Sequence, residues 1–167
     1  EEAIDDAIAN GCNVIFTTSP TFSQASLKAA IANPKITILN CSLHDPHTSM
    51  RTYYARMHEA KFIMGAVAGS MAAHDKIVYI ADYPIYGTIA NINSFAQGVK
   101  MTNPRAKIHL LWSCLKDVDV EEQIKQLQPD CVSDKDLSVP EAGTRYYGLY
   151  MSYPDSIWNL AIPIYNW

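Results

Sequence analysis

The stretch from Asn13 to Asn40, NVIFTTSPTFSQASLKAAIANPKITILN, decides the fold class of this chain. Its apolar run over residues 13–17 predicts a short buried strand. A polar loop then leads into residues 22–32, whose apolar side chains have helical spacing, and Asn33-Pro34 ends that helix. Residues 36–40 form a second apolar run of strand length. A helix between two buried strands, with short links, indicates a parallel α/β unit.

The alternation of helices and strands continues on both sides of this stretch. Residues 1–10 have the apolar spacing of a helix, and Gly11 stands where a helix C-cap belongs. On the other side we expect a strand at 51–54 and a long helix at 57–73 whose small residues predict tight packing. A second alternating run follows, with strands at 76–81, 108–112, 131–132 and 146–150, helices at 88–102 and 120–127, and an extended segment at 157–165.

The two runs predict an α/β fold of two Rossmann-like lobes with parallel sheets. We expect part of the first α/β lobe in residues 1–55, a crossover helix in residues 56–75, the second α/β lobe in residues 76–150, and a closing segment that returns towards the hinge in residues 151–167. No low-complexity linker divides the runs. Because the sequence starts in a helix-like pattern and ends in an apolar run, we expect a fold truncated at both ends.

Composition narrows the classes of function. Hydrophobic residues make up 49% and charged residues 18% of the chain, which is typical of a packed globular protein. The net charge is −4 and no basic patch is visible, so this segment is not expected to contact nucleic acid. The most apolar stretch, residues 62–73, is too short and too rich in Gly and Ala to span a bilayer. No signal peptide or lipobox cysteine is visible.

Four cysteines, at positions 12, 41, 114 and 131, have no metal-ligand spacing. Cys12 enters one predicted strand and Cys41 leaves the next, which places them at opposite edges of a parallel sheet, too far apart for a disulfide. We therefore expect four buried or half-buried thiols. Unpaired thiols favour a reducing compartment.

The motifs of common enzyme classes are absent from the sequence. There is no G-x-G-x-x-G or G-x-x-x-x-G-K-[ST] phosphate loop, and no G-x-S-x-G nucleophile elbow. A metal site at His44, Asp45 and His47 is the alternative to a solvated loop there, but no third ligand has typical spacing. An acid/base pair has only Asp134 and Asp136 as candidates. We therefore predict a binding protein with no catalytic residue, no metal and no cofactor.

Loops after strands supply the candidate ligand-binding residues, because ligands of open α/β sheets bind beyond the carboxyl ends of the strands. Aromatic rings for stacking, with a few hydroxyl, amide and carboxyl groups, suit a planar polar ligand. The candidates are Ser19, Thr21, Phe22, Tyr83, Tyr86, Thr88, Asn91, Trp112, Asp134 and Asp136. Each has an alternative interpretation: the tyrosines as loop packing, Trp112 as core, and the aspartates as a solvated turn or helix cap.

A family resemblance runs in order along nearly the whole chain. It is carried by the segments 13–19 (NVIFTTS), 51–54 (RTYY), 59–69 (EAKFIMGAVAG), 76–81 (KIVYIA), 92–99 (INSFAQGV) and 162–167 (IPIYNW), with Asn103-Pro104 and Trp112. Together these resemble the basic membrane protein (BMP) family, which includes purine nucleoside receptor lipoproteins and other substrate-binding proteins of ABC transporters. The resemblance implies a periplasmic-binding-protein-like fold of type I and a lipoprotein anchored at the cell surface. It also implies capture of a purine base or nucleoside for an importer permease by lobe closure.

The resemblance also assigns roles to individual positions. It implies that Ser19 and Phe22 bind ligand in the first lobe, with Tyr86, Asn91 and Trp112 in the second, and that one aromatic from each lobe sandwiches a base. Two departures concern charged groups that hold ribose in nucleoside receptors: Tyr150 stands at the position of an Asp, and Tyr165 or a close neighbour at that of a Lys. A free base such as adenine, or another planar ligand, fits these departures better than a nucleoside.

A second function stays open beside the importer. Some relatives in this family are regulators, which implies a cytoplasmic ligand-sensing domain of a transcriptional regulator as the alternative. The four apparently unpaired cysteines favour that alternative, because exported binding proteins rarely keep free thiols.

Overall fold

The protein is described here by a computed structural model, which covers residues 1–42, 47–135, 148–153 and 156–163. The chain divides into two compact units, Glu1–Ala55 and Arg56–Trp167. Each unit has its own sheet and its own hydrophobic core. Within the described ranges, no helix is both long and apolar enough to cross a membrane.

The first unit is a three-stranded parallel sheet in the order β1-β2-β3. Its elements are α1 (Glu2–Ala9), β1 (Val14–Thr17), a single 3-10 turn (Pro20–Phe22), α2 (Ser23–Ala32), β2 (Thr37–Cys41) and β3 (Arg51–Tyr53). Alternate residues of β1 and β2 point to the core, where Ile15 and Ile38 pack with Ile4 of α1 and the alanines of α2. The decisive stretch therefore folds as predicted, with both strands parallel.

The second unit contains a five-stranded sheet in the order β5-β4-β6-β7-β8. Its elements are α3 (Met57–Met71), β4 (Lys76–Ala81), α4 (Tyr86–Thr102), β5 (Lys107–Trp112), α5 (Val120–Leu127), β6 (Cys131–Ser133), β7 (Gly148–Tyr153) and β8 (Ser156–Pro163). Strands β5, β4 and β6 are parallel, as predicted. The last two strands, β7 and β8, are antiparallel to their neighbours. The two-residue link between them is far too short for a parallel crossover.

Strand β4 lies at the centre of this unit and is buried on both faces. Ile77, Tyr79 and Ala81 pack in the core beneath α3 and α4. Val78 and Ile80 pack on the opposite face with Ile124 of α5. Burial on both faces explains why β4 is a continuous apolar run and not an alternating one.

Helices α3 and α4 pack with their backbones almost in contact. A Cβ added at Gly98 would overlap the carbonyl oxygen of Phe62 and lie 2.7 Å from the amide nitrogen of Ala66. Gly65 meets the backbone of Phe95 in the same way, and the Oγ1 of Thr102 donates a hydrogen bond of 2.9 Å to the Ala66 carbonyl. The prediction of tight packing on the long helix is confirmed.

The cysteines correct one expectation. All four are unpaired, and Cys12 and Cys41 lie at opposite ends of two parallel strands, as predicted. Cys131 is buried, and Cys41 and Cys114 are half-buried. Cys12, however, is exposed, so the prediction of burial is wrong there. It lies between the end of α1 and the start of β1, before the chain enters the sheet.

Candidate ligand-binding site

The carboxyl edge of the first sheet is built around a buried amide. Asn40 is fully buried, and its Nδ2 donates hydrogen bonds to the Oγ1 of Thr17 at 2.8 Å and to the carbonyl of Ser19 at 3.0 Å. Thr17 is the register partner of Asn40, and its hydroxyl also bonds the Ser26 hydroxyl at 2.9 Å. The amide therefore ties the loop after β1 to β2. Its Oδ1 is buried without a hydrogen-bond partner in the described part of the chain.

Three predicted ligand-binding residues, Ser19, Thr21 and Phe22, lie in and just after the loop that this amide holds. They differ in how far their side chains are open to a ligand. The Oγ of Ser19 accepts a hydrogen bond of 3.3 Å from the Thr21 amide, so it caps the 3-10 turn. The Ser19 and Thr21 hydroxyls also bond each other at 2.9 Å. The side chain of Phe22 is 45% exposed, so one face of its ring is open for stacking.

The second sheet brings polar residues together where β4, β5 and β6 end. Ala81 and Trp112 are register partners, so Asp82 and Ser113 follow at the same level. The Ser113 hydroxyl donates a hydrogen bond of 3.0 Å to the Oδ1 of Asp82, which is buried. Asp134 comes directly after the end of β6. The carboxyl edge of this sheet thus carries two carboxyl groups, one of them fixed by a neighbouring hydroxyl.

Sequence reasoning missed the buried cation at this edge. Lys61 of α3 has no exposed surface, and its Nζ donates a hydrogen bond of 2.9 Å to the Oγ of Ser133. The same Nζ lies 5.0 Å from the centre of the Tyr79 ring, within the range of a cation–π interaction. A buried ammonium needs such partners, because an unpaired charge in the interior is very costly. The available signal was a lysine inside the apolar, small-residue stretch of the long helix.

Burial dominates the electrostatics of Asp134 and raises the pKa of its carboxyl above the ordinary value. A hydrogen bond of 2.7 Å from the Lys135 amide to its Oδ1, and the charges of Lys135 and Lys61, act in the opposite direction. The negative charge of Asp82 adds to the rise. The carboxylate form of Asp134 therefore depends on the two lysines, and a hydrogen-bond donor placed beside it would stabilise that form.

A cavity of about 780 Å³ opens beside Asp134, on the face of the sheet that α5 covers. Its apolar wall includes Ile80 and Ile124, and Tyr150 and Ser113 also line it. Its volume falls within the range of small-molecule pockets. Of the predicted residues whose side chains the structure describes, only Asp134 lines this cavity.

The other predicted residues of the second unit lie elsewhere on the same edge. Tyr83 is 60% exposed, whereas Thr88 and Asn91 are buried in the first turns of α4. Trp112 is half-buried and packs partly against the core beneath α3 and α4, as its alternative interpretation proposed. The side chain of Tyr86 and the whole of Asp136 lie outside the described residues. Ligand contact by these residues stays a prediction.

The metal alternative receives no support from the described ranges. No group of three His, Cys, Asp or Glu residues there is arranged to hold a metal ion. His44 and Asp45, two of the three side chains of that alternative, lie outside the described residues.

Comparison with known protein families shows which family the chain belongs to. A family model described as Bmp, ABC transporter substrate-binding protein PnrA-like, matches residues 1–125 of the 167-residue chain. The chain belongs to the Bmp family. This membership confirms the family resemblance, and the family is one of non-catalytic substrate-binding proteins.

Two curated relatives each match about two thirds of the chain. A purine-binding protein of Brucella abortus is 27% identical over 112 residues, which is 67% of this chain and 32% of the relative. A protein of Haloferax volcanii, named as an ABC transporter glucose-binding protein, is 25% identical over 112 residues, 66% of this chain and 29% of the relative. The chain thus spans about a third of the length of these relatives.

Two solved structures share the fold of this Bmp chain. A transcriptional activator of the comK gene from Bacillus halodurans superposes with a TM-score of 0.63 at 19% identity, covering 76% of this chain and 44% of that one. An ABC transporter solute-binding protein from Conexibacter woesei gives a TM-score of 0.55 at 18% identity, with 73% and 42% covered. At this identity the likeness concerns the fold alone, and it confirms the predicted α/β class.

Proposed function

We propose that this protein captures a purine base for an ABC importer. The observation that carries the proposal is the match of residues 1–125 to a family of ABC transporter substrate-binding proteins, together with a relative whose name says that it binds purine. The glucose-binding name of the Haloferax volcanii relative makes sugars the competing ligand class. The partners are then the small molecule and the importer's permease, and the setting is a lipoprotein anchored at the cell surface.

The carboxyl edge of each sheet, taken by itself, carries groups that suit a flat ligand with polar edges. Phe22 and Tyr83 expose aromatic rings there, and Asp82 and Asp134 supply carboxyl groups. An aromatic contact of this kind is worth about 0.5–1.5 kcal/mol beyond the area that it buries. The proposed mechanism is closure of the lobes around the ligand, with stacking for affinity and polar groups for specificity.

A free base is preferred over a nucleoside because of Tyr150. This tyrosine is 7% exposed and lines the cavity of the second unit, at the position where the family resemblance assigns a ribose-binding aspartate. A phenol ring supplies a flat apolar face and a single hydroxyl, which suits a ring better than the vicinal hydroxyls of ribose.

A thermal-shift screen of the full-length protein tests this proposal. Purine bases, nucleosides and glucose are compared at about 100 times an expected Kd, where a ligand adds about 2.7 kcal/mol to the free energy of unfolding. We expect the largest shift with a purine base. A shift with glucose and none with any purine would replace the purine assignment by a sugar.

A cytoplasmic sensor domain is the second candidate, and the four unpaired cysteines favour it. Protease treatment of intact cells separates the two. A surface-anchored receptor is digested by added protease, whereas a cytoplasmic sensor stays intact until the cells are broken.

A further inference from the structure

Most of the described charged groups that line the cavity of the second unit are acidic. Among the described lining residues, Asp119, Glu121 and Asp134 contribute three carboxyl groups, and Lys135 contributes one ammonium group. The apolar wall of Ile80 and Ile124 lies behind these groups. An apolar pocket with an acidic rim favours a ligand with an apolar body that presents N–H donors, and it disfavours an anionic ligand such as a phosphate.

Asp134 is the carboxyl group of this rim that the fold fixes most firmly. Its backbone amide donates a hydrogen bond of 2.9 Å to the Gly148 carbonyl, which holds it beside β7. Its Oδ1 accepts the Lys135 amide at 2.7 Å. Its other carboxylate oxygen accepts no hydrogen bond from the described part of the chain. By contrast, Asp119 caps α5 through the Glu122 amide, and Glu121 is exposed on the first turn of that helix.

Lys61 also acts on Asp134, through a hydrogen bond to the preceding residue and through its charge. It holds the Ser133 hydroxyl, one residue before Asp134, from a fully buried position on α3. Its charge also favours the ionised form of Asp134, and Asp82 acts against it. The buried cation at this point therefore opposes the rise in the pKa of Asp134 that burial causes, and so favours the ionised form of its carboxyl group.

We propose that the second-unit cavity binds the amino-bearing edge of the ligand ring, with Asp134 as the hydrogen-bond acceptor and Lys61 as its positioning residue. This inference rests on the proposed function and narrows it to amino-substituted purines. Adenine carries an amino group beside a ring nitrogen, whereas hypoxanthine has a carbonyl oxygen at the same place. An acceptor in the pocket separates the two, because it bonds the amino group and repels the oxygen.

The substitution Asp134→Asn reverses the polarity of this contact. The side-chain oxygen keeps the hydrogen bond from the Lys135 amide, so the new NH₂ group takes the place of the free carboxylate oxygen. The ligand then meets a donor where it met an acceptor. Glu122→Gln is the matched control, because it removes the same charge from an exposed position of α5 that does not line the cavity.

Calorimetric titration of the full-length protein with adenine and hypoxanthine tests the proposal. We expect the wild type to prefer adenine, Asp134→Asn to shift the ratio of the two Kd values about 10- to 100-fold towards hypoxanthine, and Glu122→Gln to leave the ratio within about twofold. Purine binding whose ratio does not respond to Asp134→Asn would overturn this inference and leave the proposed function standing. A wild type that binds neither purine would refute both.

The pH profile of adenine affinity tests the role of Lys61. Lys61→Met removes a cation that stabilises the carboxylate of Asp134, so the pKa of that carboxyl group should rise. As the pH is lowered, adenine binding should therefore begin to weaken at a higher pH in the variant than in the wild type. The other charged groups around Asp134 are unchanged in this variant, which isolates the contribution of the buried cation. These groups are Asp82, Asp119, Glu121 and Lys135. A variant that loses thermal stability while its pH profile coincides with that of the wild type would show that Lys61 is only structural.

Discussion

Replacing Gly98 by alanine tests the packing that holds the second unit together. The added methyl group would lie 2.7 Å from the Ala66 nitrogen, where ordinary contacts begin at 3.4 Å, and it would overlap the Phe62 carbonyl oxygen. Both obstacles are backbone atoms of α3, so no side chain can rotate away. The difference between 3.4 and 2.7 Å means that the helices must separate by about 0.7 Å or more at this point.

The expected cost follows from two opposing effects. Overpacking of a tight interface costs about 1–3 kcal/mol, and the two backbone obstacles on α3 place Gly98→Ala at the upper end. Alanine recovers about 1 kcal/mol as a better helix former than glycine. We therefore expect a net loss of about 2 kcal/mol, which lowers the Tm by about 4–8 °C in a protein of this size.

Urea and thermal unfolding followed by circular dichroism measure this loss. Gln97→Ala, one residue earlier on the exposed face of α4, is the control and should change the free energy of unfolding by less than about 0.5 kcal/mol. An unchanged or raised stability for Gly98→Ala would refute the close approach of α3 and α4. That result would also remove the packing by which we explain the position of Lys61 at the carboxyl edge of the sheet.

Three further predictions concern single side chains. Phe22→Ala should weaken purine binding about 10-fold in a calorimetric titration without changing the Tm, because the ring is 45% exposed; an unchanged affinity would remove Phe22 from the site. Thiol labelling of the native protein should modify exposed Cys12 quickly and buried Cys131 only on unfolding, and equal rates would contradict the two burials. Burial tends to raise the pKa of Asp130, but hydrogen bonds from the His74 ring and the amides of Lys76 and His74, with the His74 charge, lower it below 3.8. Asp130 therefore contributes to the free energy of unfolding above about pH 4, and this contribution is lost as the pH falls through the folded-state pKa. The difference in the free energy of unfolding between wild type and Asp130→Asn should close in acid titrations. A constant difference would contradict this.

Most of the fold could be predicted because the hydrophobic pattern is strong where the sheets are parallel. Strand β4 is apolar and buried from its second residue onwards, and it was predicted with its observed bounds, Lys76–Ala81. The helix α5 was also predicted with its observed bounds, because Asp119 caps its start and the apolar residues follow at helical spacing. The prediction of a parallel sheet is wrong at β7, which runs antiparallel to β6, and the direction of β8 was not predicted. An extended run indicates a strand without indicating which way its neighbour runs.

The candidate site was harder to predict than the fold, because it depends on contacts distant in sequence. Asp134 was selected from its place after a strand, and the structure places it in a cavity. Lys61 was overlooked, since a lysine on a helix usually faces water and its partner Ser133 lies 72 residues away. Ser113 and Tyr150, which line the same cavity, become recognisable only when the sheet order is known.

Equilibrium binding of labelled adenine to the full-length protein, with unlabelled glucose as competitor, tests the central claim most directly. We expect saturable binding of one adenine per protein, which excess hypoxanthine displaces weakly and glucose does not displace. Absence of adenine binding, or its displacement by glucose at equal concentration, would contradict a receptor for purine bases.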